Sequence, residues 1–204
     1  MSQDTTLWGE YHIHLHHLIK QTRQKTPNPI KLVVLDVDGC MTDGGLYYGA
    51  EGMALKRYNV LDGAGIKLLQ KHHIHCAIVT GNPANGVHSR AKDLGIREDM
   101  LFFKVDNKSE CIEQLLARLS LHWSEVAGIG DDWQDIAHLN KCGLSVAPKS
   151  AHPEVRRLTD ITTQAKGGEG AVRELCDLVL MHNGVYESAL TALASNASHR
   201  LSTT

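Results

Sequence analysis

From residue 30 onward, short apolar runs alternate with amphipathic stretches. The apolar runs are of the kind found in buried parallel strands, and they lie at Lys31–Asp36, Ile74–Val79, Met100–Phe103, Val126–Ile129 and Leu144–Val146. The stretches between and after them predict helices at Gly63–Lys71, Ala84–Leu94, Lys108–Leu119, Trp133–Asn140 and Gly170–Leu180. Strands and helices that alternate with short connections predict an α/β fold with a doubly wound, mostly parallel, Rossmann-like sheet.

One segment departs from this alternation. Gly45–Tyr58 contains two short strand-like runs on either side of a Gly-Ala-Glu-Gly turn. This pattern is typical of a β-hairpin, here inserted after the first strand.

The first residues have a different character from the rest. Leu7–Lys25 shows a weak helical period that stops at Thr26–Pro29, where two prolines break the chain. His12 and His16 lie one helical turn apart, which suits a metal, although a solvated helix face with incidental histidines is the commoner outcome.

These breaks divide the chain into three parts. We expect an N-terminal extension over 1–28, one globular domain over 29–183 and a C-terminal tail over 184–204.

Composition narrows the class of protein. The chain has 204 residues, and 42% of them are apolar, which is enough to build a hydrophobic core. Its formal charge of −2 argues against a nucleic-acid partner. No apolar run approaches the ~20 residues of a membrane span, and the first residues do not resemble a signal peptide. We therefore expect a cytoplasmic protein without a membrane partner.

The cysteines are scattered and odd in number. None forms a Cys-x-x-Cys pair, so the pattern indicates reduced thiols that lie mostly in the core, and neither a zinc site nor a disulfide framework. The five are Cys40, Cys76, Cys111, Cys142 and Cys176.

Two aspartates follow the first strand. Asp36 and Asp38 are one residue apart, so in extended backbone their side chains point the same way. A Mg²⁺ ion would offset the repulsion between them, Asp36 could attack phosphorus, and Asp38 could protonate the leaving oxygen. The alternative is an acidic turn that has no chemical role.

Thr80, Gly81 and Asn82 follow the second strand. A hydroxyl and backbone amides at a helix start suit a phosphate oxygen. Alternatively, Thr80 or Asn82 merely caps the helix that begins near Pro83.

A lysine follows the third strand. Lys108 opens a helix, where the helix dipole disfavours a cation unless an anion is bound nearby. A solvated surface lysine is the alternative interpretation, and Lys104 is a competing phosphate ligand.

Three aspartates follow the fourth strand. Asp131 is the candidate metal ligand, with either Asp132 or Asp135 in support, while helix capping is the alternative role for the group. Because the carboxyl ends of parallel strands lie at one edge of a sheet, all four groups are expected to meet there.

Together these motifs resemble those of the haloacid dehalogenase superfamily of phosphohydrolases. The stretches DVDGCMTDGGLYYGAEGMALKRYNVLDGAGIKLL and GGEGAVRELCDLVL are similar to the cap-less family of 3-deoxy-D-manno-octulosonate 8-phosphate phosphatases, and the likeness runs over about Ile30–Leu180. The resemblance implies no cap domain and a homotetramer in which the hairpin packs between subunits and covers a neighbouring site.

The resemblance also implies roles for individual residues. Asp36 would be the nucleophile and Asp38 the acid and base, with phosphate bound by Thr80 and Lys108. Mg²⁺ would be held by Asp36, the Asp38 backbone carbonyl and Asp131. The implied reaction is the hydrolysis of a sugar-acid phosphate, a step in the synthesis of lipopolysaccharide precursors.

The chain departs from that family at two positions. Asn82 and Leu61 stand where relatives often have Arg, so two cations near the pocket are missing. Arg90 matches a position of that family and is expected to bind the substrate carboxylate. Arg57 and Arg173 of a neighbouring subunit are further candidates for this role. A different sugar phosphate, such as a nonulosonate 9-phosphate, is the alternative substrate.

Other classes of protein fit less well. A phospho-receiver module also combines Asp, Thr, Lys and Mg²⁺, but it presents its acidic pair first and a lone Asp next, whereas this chain has Asp36-Val-Asp38 first and Asp131-Asp132 last. A catalytically silent scaffold for oligomerisation would not need Asp36, Asp38 and Asp131 to be intact. No cysteine has the Arg partner of a cysteine phosphatase.

Overall fold

The computed structural model describes residues 13, 15, 17–20, 26–50, 52–84 and 86–192. Its centre is a six-stranded parallel sheet with the spatial order β5-β4-β1-β6-β7-β8. The strands are β1 Leu32–Leu35, β4 His75–Val79, β5 Leu101–Phe102, β6 Val126–Ile129, β7 Leu144–Ala147 and β8 Ile161–Thr162. The predicted α/β class and the parallel sheet are confirmed.

The sheet is covered by helices. They are α1 Val60–Lys71, α2 Val87–Leu94, α3 Lys108–Leu119, α4 Trp133–Leu139, α5 Pro153–Leu158 and α6 Ala171–His182. Helix α1 contacts α2 and α6, and helix α4 contacts α3 and α5. A Cβ at Gly65 of α1 would lie 2.9 Å from the Cβ of Cys176, so a glycine permits the close approach of α1 and α6.

The central strand β1 is apolar and buried at all four positions, as expected for a strand with neighbours on both sides. Leu35, its last residue, pairs with Ile78 of β4 and with Ile129 of β6. The chain moves from β1 outward to β4 and β5 and then returns to the other side of β1 at β6. The crevice beyond the carboxyl end of β1 is therefore the topological switch point, where ligands bind in such sheets.

The predicted hairpin is present. Strands β2 Tyr47–Gly49 and β3 Gly52–Leu55 pair antiparallel and form a sheet of their own. A bridge between Thr42 and Tyr58 closes the base of the insertion. Over the described residues 26–50, 52–84 and 86–192, no further domain is inserted between the helices and strands.

Some short elements after β7 were missed from the sequence. Helix α5 and the two-residue strand β8 follow β7, and both are too short for a periodic pattern to stand out. Several predicted elements are also shorter than expected: for example, Ala84–Leu94 is helical only from Val87, and Met100–Phe103 is a strand only over Leu101–Phe102.

The chain ends also contribute to the core. Most of the predicted helix Leu7–Lys25 lies outside the described residues, as do His12, His14 and His16. The described residues 13, 15 and 17–20 are helical, and Leu15 and Ile19 are buried in the main core. Residues 186–192 are helical, with Ala189 buried. Among the described residues no helix has the length and apolar character needed to cross a membrane.

Candidate active site

Asp36 directly follows β1 and opens a tight turn over Val37–Met41. Within it, Gly39 has a φ of +85°, in the left-handed region that favours glycine. A Cβ at Gly39 would lie 2.0 Å from Oδ2 of Asp131, so any side chain there would displace that carboxylate. The glycine thus lets the turn lie directly against the acidic group after β6.

The segment that precedes α6 closes the other side of this turn. A Cβ at Gly167 would lie 1.7 Å from the carbonyl oxygen of Gly39, and the amide of Gly168 donates to the carbonyl of Cys40 at 3.0 Å. Gly168 has a φ of +67°. Two glycines from a distant part of the chain therefore pack backbone against backbone on the turn that carries Asp36.

Lys108 enters the site from the start of α3. Asn107 caps this helix by accepting the amide of Glu110 at 3.2 Å. The Lys108 Nζ donates to Oδ1 of Asp36 at 2.5 Å and to Oδ1 of Asp135 at 2.6 Å. The side chain is buried, so the surface-lysine alternative is wrong.

The competing lysine lies apart from this network. The backbone amide of Lys104 donates to the carbonyl of Asn82, and its φ is +54°. No side-chain contact of Lys104 with the aspartates is found among the described residues.

The three aspartates after β6 divide their roles. Asp135 is fully buried, and its Oδ2 accepts the amides of Asp131 at 3.1 Å and Asp132 at 3.3 Å. Asp132 caps α4 by accepting the amide of Trp133 at 2.8 Å. Of the two residues considered as support for Asp131, Asp135 orients the loop and Asp132 caps the helix.

Asp38 is held from two directions. Asn82 Nδ2 donates to its Oδ2 at 2.8 Å, and Lys56 Nζ donates to its Oδ1. The Lys56 side chain comes from the end of the hairpin and is only 2% exposed. The contact of Lys56 with Asp38 was not predicted from the sequence, because no local pattern shows how a hairpin folds back.

A polar pocket of about 340 Å³ lies at the carboxyl end of the sheet. It is lined by Asp36, Asp38, Thr80, Gly81, Asn82, Val105, Asp106 and Gln134. Gln134 was missed from the sequence, and its position in the first turn of α4 is the signal that would have indicated it. Thr80 is buried, and its Oγ1 accepts the amide of Asn82 at 3.2 Å.

Arg90 is not among these lining residues. Its guanidinium donates to the carbonyl of Asn59 at 2.9 Å and lies 5.6 Å from the centroid of the Tyr58 ring. Arg57 pairs with Asp43, and Arg173 with Asp177. None of the three arginines proposed for a substrate carboxylate lines the pocket in this chain.

The carboxylates are arranged to receive a cation. Asp36 Oδ2 is buried and has no hydrogen-bond partner among the described residues. Ligand atoms of Asp36, Cys40 and Asp131 all lie within 4.8 Å of one another. Two carboxylates at this spacing fit a divalent ion that prefers oxygen, such as Mg²⁺.

The electrostatics of the site agree with this fit. Burial raises the pKa of Asp131 to about 7, and the neighbouring carboxylates of Asp36, Asp135 and Asp132 add to the shift. Burial also raises the pKa of Asp36, against the opposing effect of Lys108. A bound cation would offset the cost of keeping both groups ionised.

Lys108 keeps its charge in this setting. Burial alone would lower its pKa, but the carboxylates of Asp36 and Asp135 outweigh burial and raise it. The site therefore combines a buried carboxylate with a free oxygen, a fixed positive charge beside it and a second acidic group. This set suits attack on a phosphate ester.

Comparisons with known proteins agree with the geometry. Residues 99–175 match the model of the haloacid dehalogenase-like hydrolases. The 3-deoxy-D-manno-octulosonate 8-phosphate phosphatase of Escherichia coli K12 is 42% identical over 160 residues, which cover 78% of this chain and 84% of that protein.

Solved structures show the same likeness. The crystal structure of the phosphatase of that name from Yersinia pestis has a TM-score of 0.76 and 40% identity, covering 83% of this chain and 88% of that one. A structure of the Moraxella catarrhalis enzyme, in complex with magnesium ion, phosphate ion and KDO, has a TM-score of 0.79 and 31% identity, covering 87% and 98%. The chain therefore belongs to the haloacid dehalogenase-like hydrolases, in the family of the 3-deoxy-D-manno-octulosonate 8-phosphate phosphatases.

Proposed function

We propose that this protein is a Mg²⁺-dependent phosphatase that hydrolyses 3-deoxy-D-manno-octulosonate 8-phosphate through a phospho-aspartate on Asp36. The observation that carries the proposal is the Asp36 carboxylate itself. One oxygen is held by Lys108 at 2.5 Å, and the other is buried without a partner among the described residues. The high identity to phosphatases of this name supports the choice of substrate.

The residues around Asp36 divide the chemistry between them. A carboxylate oxygen of Asp36 attacks phosphorus, the bond from phosphorus to the ester oxygen breaks, and Asp38 gives a proton to the leaving sugar oxygen. Asp38 then takes a proton from the water that hydrolyses the phospho-aspartate, which releases phosphate and restores Asp36.

The remaining groups bind and orient the phosphate. Thr80, Gly81 and Asn82 line the pocket. In the proposed reaction the Thr80 hydroxyl, the Gly81 amide and the Asn82 side chain donate hydrogen bonds to the phosphate, and Lys108 supplies a positive charge. Asp36, the backbone carbonyl of Asp38 and Asp131 would hold Mg²⁺, which neutralises the phosphoryl oxygens when it is bound.

The reaction is tested with purified protein and 3-deoxy-D-manno-octulosonate 8-phosphate. We expect phosphate release that stops when Mg²⁺ is chelated and returns when it is added back. Asp36→Asn should lower kcat by several orders of magnitude, because the nucleophile and a metal ligand are lost together. Near-normal turnover in that variant would rule out the phospho-aspartate mechanism.

The substrate carboxylate needs a cation to bind it. Arg90 is our candidate from the family resemblance, although its guanidinium lies against Tyr58 and Asn59 within one subunit. Lys56 is the cation nearest to Asp38 and is the competing candidate. Charge-assisted hydrogen bonds of this kind contribute about 1.5–3 kcal/mol, or roughly ten- to a hundredfold in affinity.

Comparison of substrates separates these options. We expect a higher kcat/KM for the octulosonate 8-phosphate than for a neutral hexose 6-phosphate, and Arg90→Ala should reduce that preference. If Arg90→Ala keeps the preference for the octulosonate 8-phosphate and Lys56→Met loses it, then Lys56 binds the substrate carboxylate. If wild type prefers a nonulosonate 9-phosphate, the octulosonate assignment is wrong while the phosphatase assignment stands.

We also propose a homotetramer, held in part by the hairpin. Its exposed large apolar side chains point to a covered surface in the assembly. They are Leu46, Tyr47, Tyr48 and Leu55, exposed by 53%, 48%, 72% and 69%. A monomer in light scattering at micromolar concentration would contradict this arrangement.

The product would serve lipopolysaccharide synthesis, in keeping with the family. The cytoplasmic location expected from the sequence stays a prediction.

A further inference from the structure

One buried side chain in the metal site has no role in the reaction proposed above. Cys40 lies in the same tight turn as the nucleophile and is fully buried. Its Sγ and one carboxylate oxygen each of Asp36 and Asp131 lie within 4.8 Å of one another. The phosphatase chemistry uses the two carboxylates and leaves the thiol unexplained.

A second observation points to a ligand at this place. Asp36 is only 3% exposed, and its Oδ2 has no hydrogen-bond partner among the described residues. Since a buried polar atom without a partner is unfavourable, this oxygen is expected to meet a cation. The thiol beside it is then close enough to share that cation.

The type of donor decides which cation gains from the thiol. Mg²⁺ is a hard ion that takes oxygen ligands, so Cys40 adds nothing to its binding. Zn²⁺ and Cd²⁺ accept sulfur readily, with Zn–S bonds of about 2.3 Å and Zn–O bonds of about 2.0–2.2 Å. Two carboxylate oxygens and one sulfur are three of the four ligands of a tetrahedral site.

We propose that Asp36, Cys40 and Asp131 form a binding site for a thiophilic divalent cation, of the Zn²⁺ and Cd²⁺ class, that competes with Mg²⁺. On binding, the S–H bond of Cys40 breaks, a bond from sulfur to the metal forms, and the proton leaves to solvent. The cation occupies both carboxylates that the proposed function assigns to Mg²⁺, so the phosphatase is inhibited while it is bound.

The test uses Cd²⁺ and the full chain, with the thiolate-to-cadmium ultraviolet absorption as the readout. Cys111 is the one half-buried cysteine among the five free cysteines, so all proteins carry Cys111→Ser to remove a competing thiol. We expect this background to show the band, and added Cys40→Val to lose it and bind Cd²⁺ at least about tenfold more weakly. Cys76→Val, a buried cysteine outside the site, is the matched control and should keep the band.

Competition provides a second measurement that needs no change at Cys40. Excess Mg²⁺ should suppress the band in the Cys111→Ser background, and Asp131→Asn should weaken Cd²⁺ binding. No band in the background, a band that survives Cys40→Val, or a band that Mg²⁺ leaves unchanged would each overturn the proposal. The proposal shares its site with the proposed function, but the band needs no turnover, so a failure of one is distinguishable from a failure of the other.

Discussion

Removing the positive charge at Lys108 should destabilise the protein and at the same time increase its response to Mg²⁺. The ammonium group bridges Asp36 at 2.5 Å and Asp135 at 2.6 Å, and all three side chains are at most 4% exposed. Lys108→Met keeps most of the apolar length of the side chain and leaves two buried carboxylates without their shared cation.

The magnitude follows from this burial. Breaking a buried ion pair by removing one partner lowers the free energy of unfolding by about 3–5 kcal/mol. For a chain of this size that corresponds to a fall in Tm of roughly 6–20 °C, at about 2–4 °C per kcal/mol. Mg²⁺ should raise the Tm of the variant more than that of wild type, since the variant site is more negative and the ion binds the folded state.

The assay is thermal unfolding followed by circular dichroism, in chelator and in Mg²⁺, at one pH. The double variant Lys108→Met/Asp135→Asn is the control, because it removes one of the stranded charges and should recover part of the lost stability. A single variant within about 1 kcal/mol of wild type in chelator would refute the reasoning. So would a double variant that is less stable than the single one.

Three further changes probe different parts of the molecule. Asp62 is buried, and its Oδ2 has no hydrogen-bond partner among the described residues. Burial raises the pKa of Asp62 to about 6, so the stabilisation that comes with its protonation is fully present below pH 3.8 and is lost as the pH rises through 6. Relative to Asp62→Asn, wild type should therefore lose roughly 1 kcal/mol in denaturant unfolding between pH 5 and pH 7. His138 is buried, and neither ring nitrogen has a hydrogen-bond partner among the described residues, with Nδ1 lying 4.0 Å from Oδ1 of Asp135. His138→Leu should therefore raise the free energy of unfolding by about 1 kcal/mol, and a loss of stability would show that the contact with Asp135 stabilises the protein. Asp38→Asn should lower kcat by roughly 10²–10⁴ on a sugar phosphate but far less on p-nitrophenyl phosphate, whose leaving group needs little protonation, and equal losses would remove Asp38 from the acid role.

The strand ends of the sheet could be predicted from the sequence because their pattern is local. An apolar run followed by Asp36 or by Asp131 places each residue at the carboxyl edge, whatever the rest of the fold does. Lys108 was located in the same way, from its place at a helix start. The parallel sheet then brings these residues together, so their spacing along the chain was enough.

Contacts that depend on the folding-back of distant segments were not predictable in this way. The hairpin that brings Lys56 to Asp38 carries no pattern that fixes its direction relative to the sheet. The orientation of Arg90 toward Asn59 depends on how α1 and α2 pack. The proximity of Cys40 to Asp131 requires the tight turn at Gly39, which a sequence of residue types does not describe.

The packing of two glycines against the tight turn that follows Asp36 affects when the protein becomes active during its synthesis. Gly167 and Gly168 contact Gly39 and Cys40, yet they leave the ribosome long after the turn that they hold. A nascent chain that lacks them has Asp36 but not the backbone that fixes it. Catalytic competence is thus expected to arrive late, with α6, and a partial chain has no working site to expose to phosphate esters. Phosphatase activity measured on nascent chains arrested at increasing lengths would show the chain length at which the active site becomes complete.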